Sequence, residues 1–196
     1  MTEKTRRSPR QARAASTVDA IVDATFQLLE ERGFDALTTN HIAARAGVSI
    51  GTLYQYFADK NDILAVMAQR RAEAVRDSIA AMLIEQPNLG SVRPIVRALM
   101  NGFEGSPATR HALLGALFSK GEAVLLRHHE LFLAAIAGKA QLDITLTPER
   151  AFILTHAAVS LLRASAAEED LALDPVALED ELVRLMEAYL AALAGV

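Results

Sequence analysis

The sequence predicts an all-α protein with two parts, an N-terminal three-helix domain and a larger helical C-terminal domain. Apolar residues recur at helical spacing along the chain, and no stretch shows the alternation typical of a strand. Ser106, Thr147 and Asp174 are each followed by proline, which is a helix-start signature. Hydrophobic residues make up 52% of the 196 residues, which is enough for a sizeable core.

The composition argues against a disulfide-bonded, membrane-spanning or secreted protein. The chain has no cysteine, which excludes disulfides and thiolate metal sites and fits a cytoplasmic protein. No apolar run approaches the roughly 20 residues of a membrane span, and the polar, basic N-terminus lacks the apolar core of a secretory signal. We therefore expect no membrane partner, and no cofactor is indicated.

The net charge of the chain is −4, and the charged residues are unevenly distributed along it. Residues 1–60 hold eight basic and seven acidic residues, a net of +1, whereas residues 61–196 hold twelve and seventeen, a net of −5. Five of the first thirteen residues are Lys or Arg, against one Glu. Residues 1–16 are therefore either a solvated tail or a basic arm that contacts DNA phosphates or a minor groove.

The first predicted helix starts at a cap on Ser16 or Thr17 and ends after Arg32, where Gly33 allows a left-handed turn. Its apolar positions recur at helical spacing. They are Val18, Ile21, Val22, Thr25, Leu28 and Leu29.

A helix-turn-helix follows within residues 37–64. Ile42, Ala43 and Ala46 give its first helix an apolar side, and Gly47 can end that helix in the left-handed conformation. Ser49 can cap the second helix, whose inward face carries Leu53 and Phe57, four residues apart. Such a unit places its second helix in a DNA major groove.

The opposite side of that second helix is chemically suited to DNA. Gly51 and Gln55 lie nearly opposite the buried Leu53, and Thr52 and Tyr54 flank them. Gln55 can bond bidentately to adenine, and Thr52 offers a hydroxyl and a methyl group. Tyrosine and lysine side chains nearby, on Tyr54, Tyr56 and Lys60, can donate to phosphate oxygens.

The run AGVS-x-GTLY-x-YF-x-x-K resembles the signature of TetR-family (tetracycline-repressor-like) transcriptional regulators, and the resemblance extends from about Thr17 to Leu64. One departure is that Thr38 is followed by His41, where the family often has an acid that completes a capping box. The resemblance implies a set of DNA-contacting residues around the motif. They are Thr39, Asn40, Ser49, Ile50, Gly51, Thr52, Tyr54, Gln55, Tyr56 and Lys60.

Six further helices bring the expected number to nine. The fourth starts at an Asp59 cap and runs to about Leu83. The predicted ranges of the other five are Ser91 to Phe103, Pro107 to Lys120, Glu122 to Ala140, Glu149 to Ser165 and Val176 to Ala194. The expected domains are 1–16 (basic arm), 17–60 (DNA binding) and 61–196 (effector binding and dimerisation).

The last two helices carry more apolar residues than one face can hold. In the final helix Leu182 and Leu185 belong to one stripe, and Met186 widens it. The pair is either fully buried within one subunit or packs against a two-fold mate, and we favour the second. The resemblance implies the same homodimer, which would read a palindromic operator in double-stranded DNA.

The resemblance also implies a small-molecule effector site among the middle helices. Aromatic and histidine side chains in apolar stretches are its candidates, although ordinary core or surface roles would explain them too. The candidates are Phe103, Phe118, His129, Phe132 and His156.

The favoured interpretation is a ligand-responsive transcriptional repressor, and the alternative is a DNA-binding protein without an effector. An enzyme is disfavoured, since the sequence has no phosphate loop and no nucleophile motif. The adjacent His128, His129 and Glu130 cannot converge on one metal ion, because three consecutive helical residues fan over about 200°.

Overall fold

A computed structural model describes residues 9–86, 90–119, 146–167 and 171–194, with residues 127, 130, 131, 133 and 134. These ranges hold eight α-helices and no strand, which confirms the all-α prediction. The helices are α1 (Pro9–Arg32), α2 (Thr39–Ala46), α3 (Ile50–Tyr54), α4 (Lys60–Glu85), α5 (Arg93–Asn101), α6 (Pro107–Ser119), α7 (Pro148–Ala167) and α8 (Pro175–Ala194). Apart from the five single residues, the helix expected over 122–140 lies outside the described ranges.

The chain divides into two compact units, Met1–Met67 and Ala68–Val196. In the first unit, α1 packs against α2, and the start of α4 contributes to the same core. Its most deeply buried large side chains are Ile21, Leu37, Ile42, Leu53, Ile63 and Leu64. The apolar periodicity predicted this core, since every member lies on a helix face or at a turn that the spacing assigns inward.

Helix α1 begins earlier than expected. It starts at Pro9. Proline is tolerated in the first turn because the backbone N–H that it lacks would have no partner within the helix. The predicted cap on Ser16 or Thr17 is therefore wrong. Within the helix, the Thr17 hydroxyl donates to the carbonyl of Arg13 at 3.0 Å. The predicted end is confirmed: the helix stops at Arg32, and Gly33 has φ +73°.

The predicted N-caps of three helices that start with proline are confirmed. Side-chain oxygens of Ser106, Thr147 and Asp174 accept backbone N–H groups two or three residues later, at 3.2 to 3.4 Å. The local sequence determines where these helices begin, because an N-cap oxygen and a proline at the first helical position both favour the start of a helix.

The start of α5 departs from the prediction. The helix begins at Arg93, and its N-cap is Val92 without a side-chain bond, instead of Ser91. The Ser91 hydroxyl donates to the Glu187 carboxylate at 2.5 Å, while it accepts the Arg93 N–H at 3.2 Å. A partner 96 positions away along the chain thus fixes this loop. The helix also ends at Asn101, before the expected Phe103.

The second unit has two apolar clusters. One joins α5, α7 and α8 through Val96, Ala158, Leu182 and other side chains. The other joins α4 to α5, through Ile79 and Leu83 packed with half-buried α5 side chains. Both clusters use α5, so this nine-residue helix is central to the unit.

Charged side chains reinforce the packing of α5 on α8. Arg93 and Arg97 both donate to the Glu179 carboxylate, at 2.6 and 3.0 Å, and Arg93 also pairs with Asp180 at 2.7 Å. Hydrogen bonds from Arg97 and Arg93 lower the pKa of Glu179.

Gly102, directly after α5, lies closely against α4. A Cβ atom at this position would be 2.0 Å from Val75 Cγ2 and 2.8 Å from the carbonyl oxygen of Ala98. No side chain fits there without displacement of one of the two helices.

No helix in the described ranges combines the length and the apolar character that a membrane span requires.

Candidate nucleic-acid interface

The turn between α2 and α3 has the predicted geometry. Gly47 has φ +69°, and its N–H bonds to carbonyls of the last turn of α2. Ser49 Oγ accepts the Thr52 N–H at 3.0 Å, which caps α3. At the start of α2, Thr38 Oγ1 accepts the His41 N–H at 3.3 Å, so this half of the capping box is present although an acid is missing.

Helix α3 is shorter than expected, with five residues, Ile50–Tyr54. Gln55 is its C-cap, and the Tyr56 N–H bonds to the Leu53 carbonyl at 3.0 Å, three residues back. Gln55 and Tyr56 therefore follow the helix in a tight turn instead of extending it, which corrects their predicted location. This turn also carries Phe57 into the core.

The side chains predicted to face DNA are accessible in this structure. Gly51, Gln55 and Tyr56 are exposed, as are Ile50 and Tyr54. Of the remaining candidates, Asn40 and Ser49 are exposed, whereas Thr39, Thr52 and Lys60 are half-buried. Leu53, on the opposite side of α3, is fully buried and fixes the orientation of the segment.

Two hydroxyl pairs organise this surface, which we call the α3 surface (residues 50–56 with Thr39, Asn40, Ser49 and Lys60). Thr39 Oγ1 and Tyr54 Oη lie 3.1 Å apart and connect α2 to α3. Ser49 Oγ and Thr52 Oγ1 lie 2.8 Å apart. In each pair one hydroxyl donates to the other, so the accepting hydroxyl keeps its own hydrogen for a further acceptor.

Among the described residues, nothing gives Gly51 a conformational or steric reason to be glycine. A Cβ atom built there would meet only Ser49 Oγ, at 3.8 Å, which is an ordinary contact. In a helix, alanine is favoured over glycine by up to about 1 kcal/mol. The missing side chain therefore leaves room for close approach by another molecule.

Lys60 is fixed at the first position of α4. Its ammonium nitrogen donates to the Phe34 carbonyl at 3.0 Å and lies 4.1 Å from the centroid of the Phe34 ring. An ammonium group has three donors, so this arrangement leaves donors for a phosphate oxygen while restricting the side chain.

Arg45 and Glu31 form a contact that the sequence analysis missed. Two Arg45 nitrogens donate to the two Glu31 carboxylate oxygens at 2.8 and 2.7 Å, and Arg45 also donates to Gln27 at 3.3 Å. The Arg45 hydrogen bond lowers the pKa of Glu31, and the same bond raises the pKa of Arg45. The pair ties α2 to α1. No spacing rule could have revealed it, since its partners lie on different helices.

The effector candidates have separate surroundings. Phe118 is half-buried on α6, with the Arg163 guanidinium 4.7 Å from its ring centroid. His156 on α7 is half-buried and stacks on the exposed Phe152 at 4.0 Å. Phe103 is half-buried after α5.

The remaining two effector candidates, His129 and Phe132, lie outside the described residues. In the part of the chain that is described, no group of three or more His, Asp or Glu side chains could hold a metal ion.

Comparison with known proteins identifies the family of the N-terminal part of the chain. Residues 21–67 match the family model of bacterial regulatory proteins of the tetR family. Over 82 residues the chain is 34% identical to the HTH-type transcriptional regulator BetI of Escherichia coli O17:K52:H18. The alignment covers 42% of this chain and 42% of that relative, so the matched part is less than half of the relative's length.

Solved structures extend the similarity to most of the chain. A TetR-family transcriptional regulator from Streptomyces coelicolor has a TM-score of 0.59 at 26% identity, covering 90% of this chain and 99% of that one. Residues 21–67 are therefore a TetR-family domain, and the chain shares the fold of TetR-family regulators. A TetR transcriptional regulator from Rhodococcus sp. RHA1, with a TM-score of 0.66 at 17% identity and coverage of 90% and 96%, shows the shared fold alone.

These comparisons confirm two sequence-based predictions. The TetR-family resemblance is confirmed, and α2 and α3 lie inside the matched residues 21–67. The family consists of regulatory proteins and not of enzymes, in agreement with the expectation that this chain is no enzyme.

Proposed function

We propose that this TetR-family protein is a ligand-responsive transcriptional repressor that binds a palindromic DNA operator as a homodimer in the cytoplasm. The observation that carries the proposal is the α3 surface. Its accessible side chains are held by a buried Leu53, a capped helix start and the Thr39–Tyr54 contact. A surface fixed in this way can enter a major groove with little loss of side-chain freedom.

Individual roles follow from the chemistry of the groups. Gln55 reads an adenine edge, and Thr52 offers its methyl group and hydroxyl to a neighbouring base. Gly51 lets the backbone approach the sugar-phosphate chain. Phosphate oxygens accept from the remaining polar groups, which position the protein without reading sequence. These groups are Thr39, Asn40, Ser49, Tyr54, Tyr56 and Lys60, while Ile50 makes apolar contact.

Two-fold pairing through α7 and α8 is the second part of the proposal. Leu182 and Met186 face inward in the second unit, whereas Leu185 of α8 is 49% exposed. Leu161 on α7 is 44% exposed, and Phe152 and Ile153 of the same helix are similarly accessible. Large apolar side chains concentrated on one helix pair mark an interaction surface. A second copy would cover them and supply the second α3 that a palindrome needs.

Control by an effector is the third part. Helix α4 begins at Lys60 of the α3 surface and continues into the second unit, where it contributes Ile79 and Leu83 to a core cluster. An effector that prefers one arrangement of this helix changes the DNA affinity by its differential affinity for the two states. A coupling of about 1–3 kcal/mol corresponds to about 5–150-fold. The residues proposed to line its site are Phe103, Phe118, His129, Phe132 and His156.

One experiment tests the proposal as a whole. The full-length protein is used to select bound duplexes from random DNA, and its affinity for the best duplex is compared with that for a scrambled one. We expect an inverted repeat and two protein chains per site. Equal affinity for all duplexes at moderate ionic strength would refute the DNA-binding proposal. Binding that no small molecule reverses would support a regulator without an effector.

A further inference from the structure

The guanidinium group of Arg76 is largely buried in the second unit. Its side chain, on α4, is 16% exposed. The Nε and Nη2 atoms donate to one oxygen of Asp77, at 2.9 and 2.8 Å. The Asp77 side chain is 67% exposed, so this ion pair lies toward solvent and anchors one edge of the guanidinium.

The third nitrogen, Nη1, lies outside the edge of the guanidinium that donates to Asp77. It is buried and has no hydrogen-bond partner among the described residues. Glu73, one turn earlier on the helix, accepts from Gln69 at 3.1 Å. Buried donors in folded proteins are almost always paired, and an orphaned donor on a charged group is especially costly. The Nη1 donor therefore lacks the acceptor that a buried donor normally has.

Arg76 is near an apolar cluster along α4. Helical spacing places it one turn before Ile79 and Ala80, which form a buried cluster with Leu83. Half-buried aliphatic side chains of α5 pack on this cluster, among them Ile95 and Leu99. A fixed guanidinium donor beside aliphatic groups suits a molecule with an anionic head and an apolar body.

We infer that Arg76 binds an oxygen anion of the effector through Nη1, so that the effector is a carboxylate or phosphate ester with an apolar body. The inference rests on the proposed function and adds the chemical class of the effector. A guanidinium is always charged, so an anion gains a charge-assisted hydrogen bond that a neutral or cationic compound does not.

The first test needs no ligand. Arg76→Met keeps the length of the apolar stem and removes the orphaned donor, and Arg70→Met replaces an exposed arginine on the same helix. Proteins are unfolded, dialysed and refolded to remove bound compounds. We expect the midpoint of thermal unfolding of Arg76→Met to equal or exceed that of the wild type. A decrease beyond that of Arg70→Met would show that Arg76 is structural and overturn the inference.

The second test compares head groups on one chain. Sodium octanoate, octyl phosphate, octanamide and octylamine are added separately at equal concentration. We expect at least one anion to raise the melting temperature of the wild type by about 3 °C or more, as mass action predicts for a ligand well above its Kd. The two uncharged or cationic compounds should have smaller effects. The anion effect should vanish in Arg76→Met and persist in Arg70→Met.

The outcomes separate this inference from the proposed function. Equal shifts from octanoate and octanamide, an anion effect that survives Arg76→Met, or no anion effect at all would each overturn the role of Arg76. Release of the selected operator duplex by a neutral or cationic compound would leave the ligand-responsive regulator intact. Loss of specific DNA binding by the wild type would instead remove the proposed function.

Discussion

The α3 surface and the outer side of α7 and α8 are both accessible in the single chain, but their chemistry differs. The first is mostly polar and carries Gly51, two hydroxyl pairs and exposed tyrosines, beside one exposed isoleucine. The second presents large apolar side chains such as Leu161 and Leu185. A hydrated, charged partner suits the first surface, and an apolar copy of the same helices suits the second. The comparison teaches that accessibility alone does not identify a partner.

The largest expected effect is on the apolar surface. Replacing Leu161 and Leu185 together by Glu would bury unpaired charges between two copies, so the dimer dissociation constant should rise by at least about 100-fold. Sedimentation equilibrium measures this change. The matched control is Leu171→Glu, which replaces an exposed leucine outside the α-helices. If the double variant remains as dimeric as this control, α7 and α8 do not form the interface.

Gln55→Ala should give the next largest effect, on the polar surface. Loss of a bidentate base contact should weaken binding to the selected operator by about 1–3 kcal/mol and relax preference at one base pair. Fluorescence anisotropy with every base tested at that position measures both quantities. The exposed Gln86, just after α4, provides the control variant Gln86→Ala. An equal loss on scrambled DNA would show that Gln55 reads no base.

Gly51→Ala sharpens the comparison, since stability and binding should move in opposite directions. The added methyl group meets only Ser49 Oγ at 3.8 Å, so folding should gain up to about 0.5–1 kcal/mol. Affinity for the operator should fall about tenfold, because the methyl group separates backbone from DNA. Gly115→Ala on α6, where a Cβ also has open space, should give a stability gain without loss of binding. Unchanged affinity of Gly51→Ala would mean that the backbone does not approach DNA there.

Lys60→Ala should have a smaller, sequence-independent effect. Removing one phosphate contact should weaken all duplexes alike and reduce the slope of log affinity against log salt by about one. Lys60→Arg keeps the charge and should retain the slope. Affinity measured over a salt series decides between them. A wild-type slope in Lys60→Ala would show that the Phe34 contacts are the only role of this lysine.

The smallest effect concerns the Arg45–Glu31 pair. Because Arg45 lowers the pKa of Glu31 in the folded state, the stabilisation is present above the ordinary pKa of a glutamate. It is lost as pH falls through the lowered value. Glu31→Gln should therefore slightly lower the melting temperature at pH 7, and the difference from the wild type should shrink below about pH 5. In an Arg45→Met background the Glu31→Gln effect should disappear, and a persistent effect would contradict the pairing.

The sequence predicted those features that local chemistry decides. Gly47, Ser49 and Asp174 each act within three residues, so their effects could be identified from the sequence alone. The family signature lies in the same segment. Apolar spacing likewise predicted that Leu53 and Phe57 are buried.

Features that depend on distant partners could not be predicted. Ser91 bonds to Glu187 across 96 positions, and that contact displaces the expected cap of α5. Helix α3 ends before Gln55, where the Tyr56 N–H bonds three residues back to the Leu53 carbonyl, and the apolar spacing does not indicate this end. The orphaned nitrogen of Arg76 depends on how α4 packs, so nothing in the sequence distinguishes this arginine from Arg70.

The length of α4 has a mechanical consequence. Its 26 residues correspond to a rod of about 39 Å, at a rise of about 1.5 Å per residue. If such a rod pivots by only about 5° at one end, the other end travels about 3.4 Å, which is the spacing of successive base pairs along one DNA strand. In the proposed DNA complex, such a small tilt of α4 would therefore shift Lys60 by about one base-pair step.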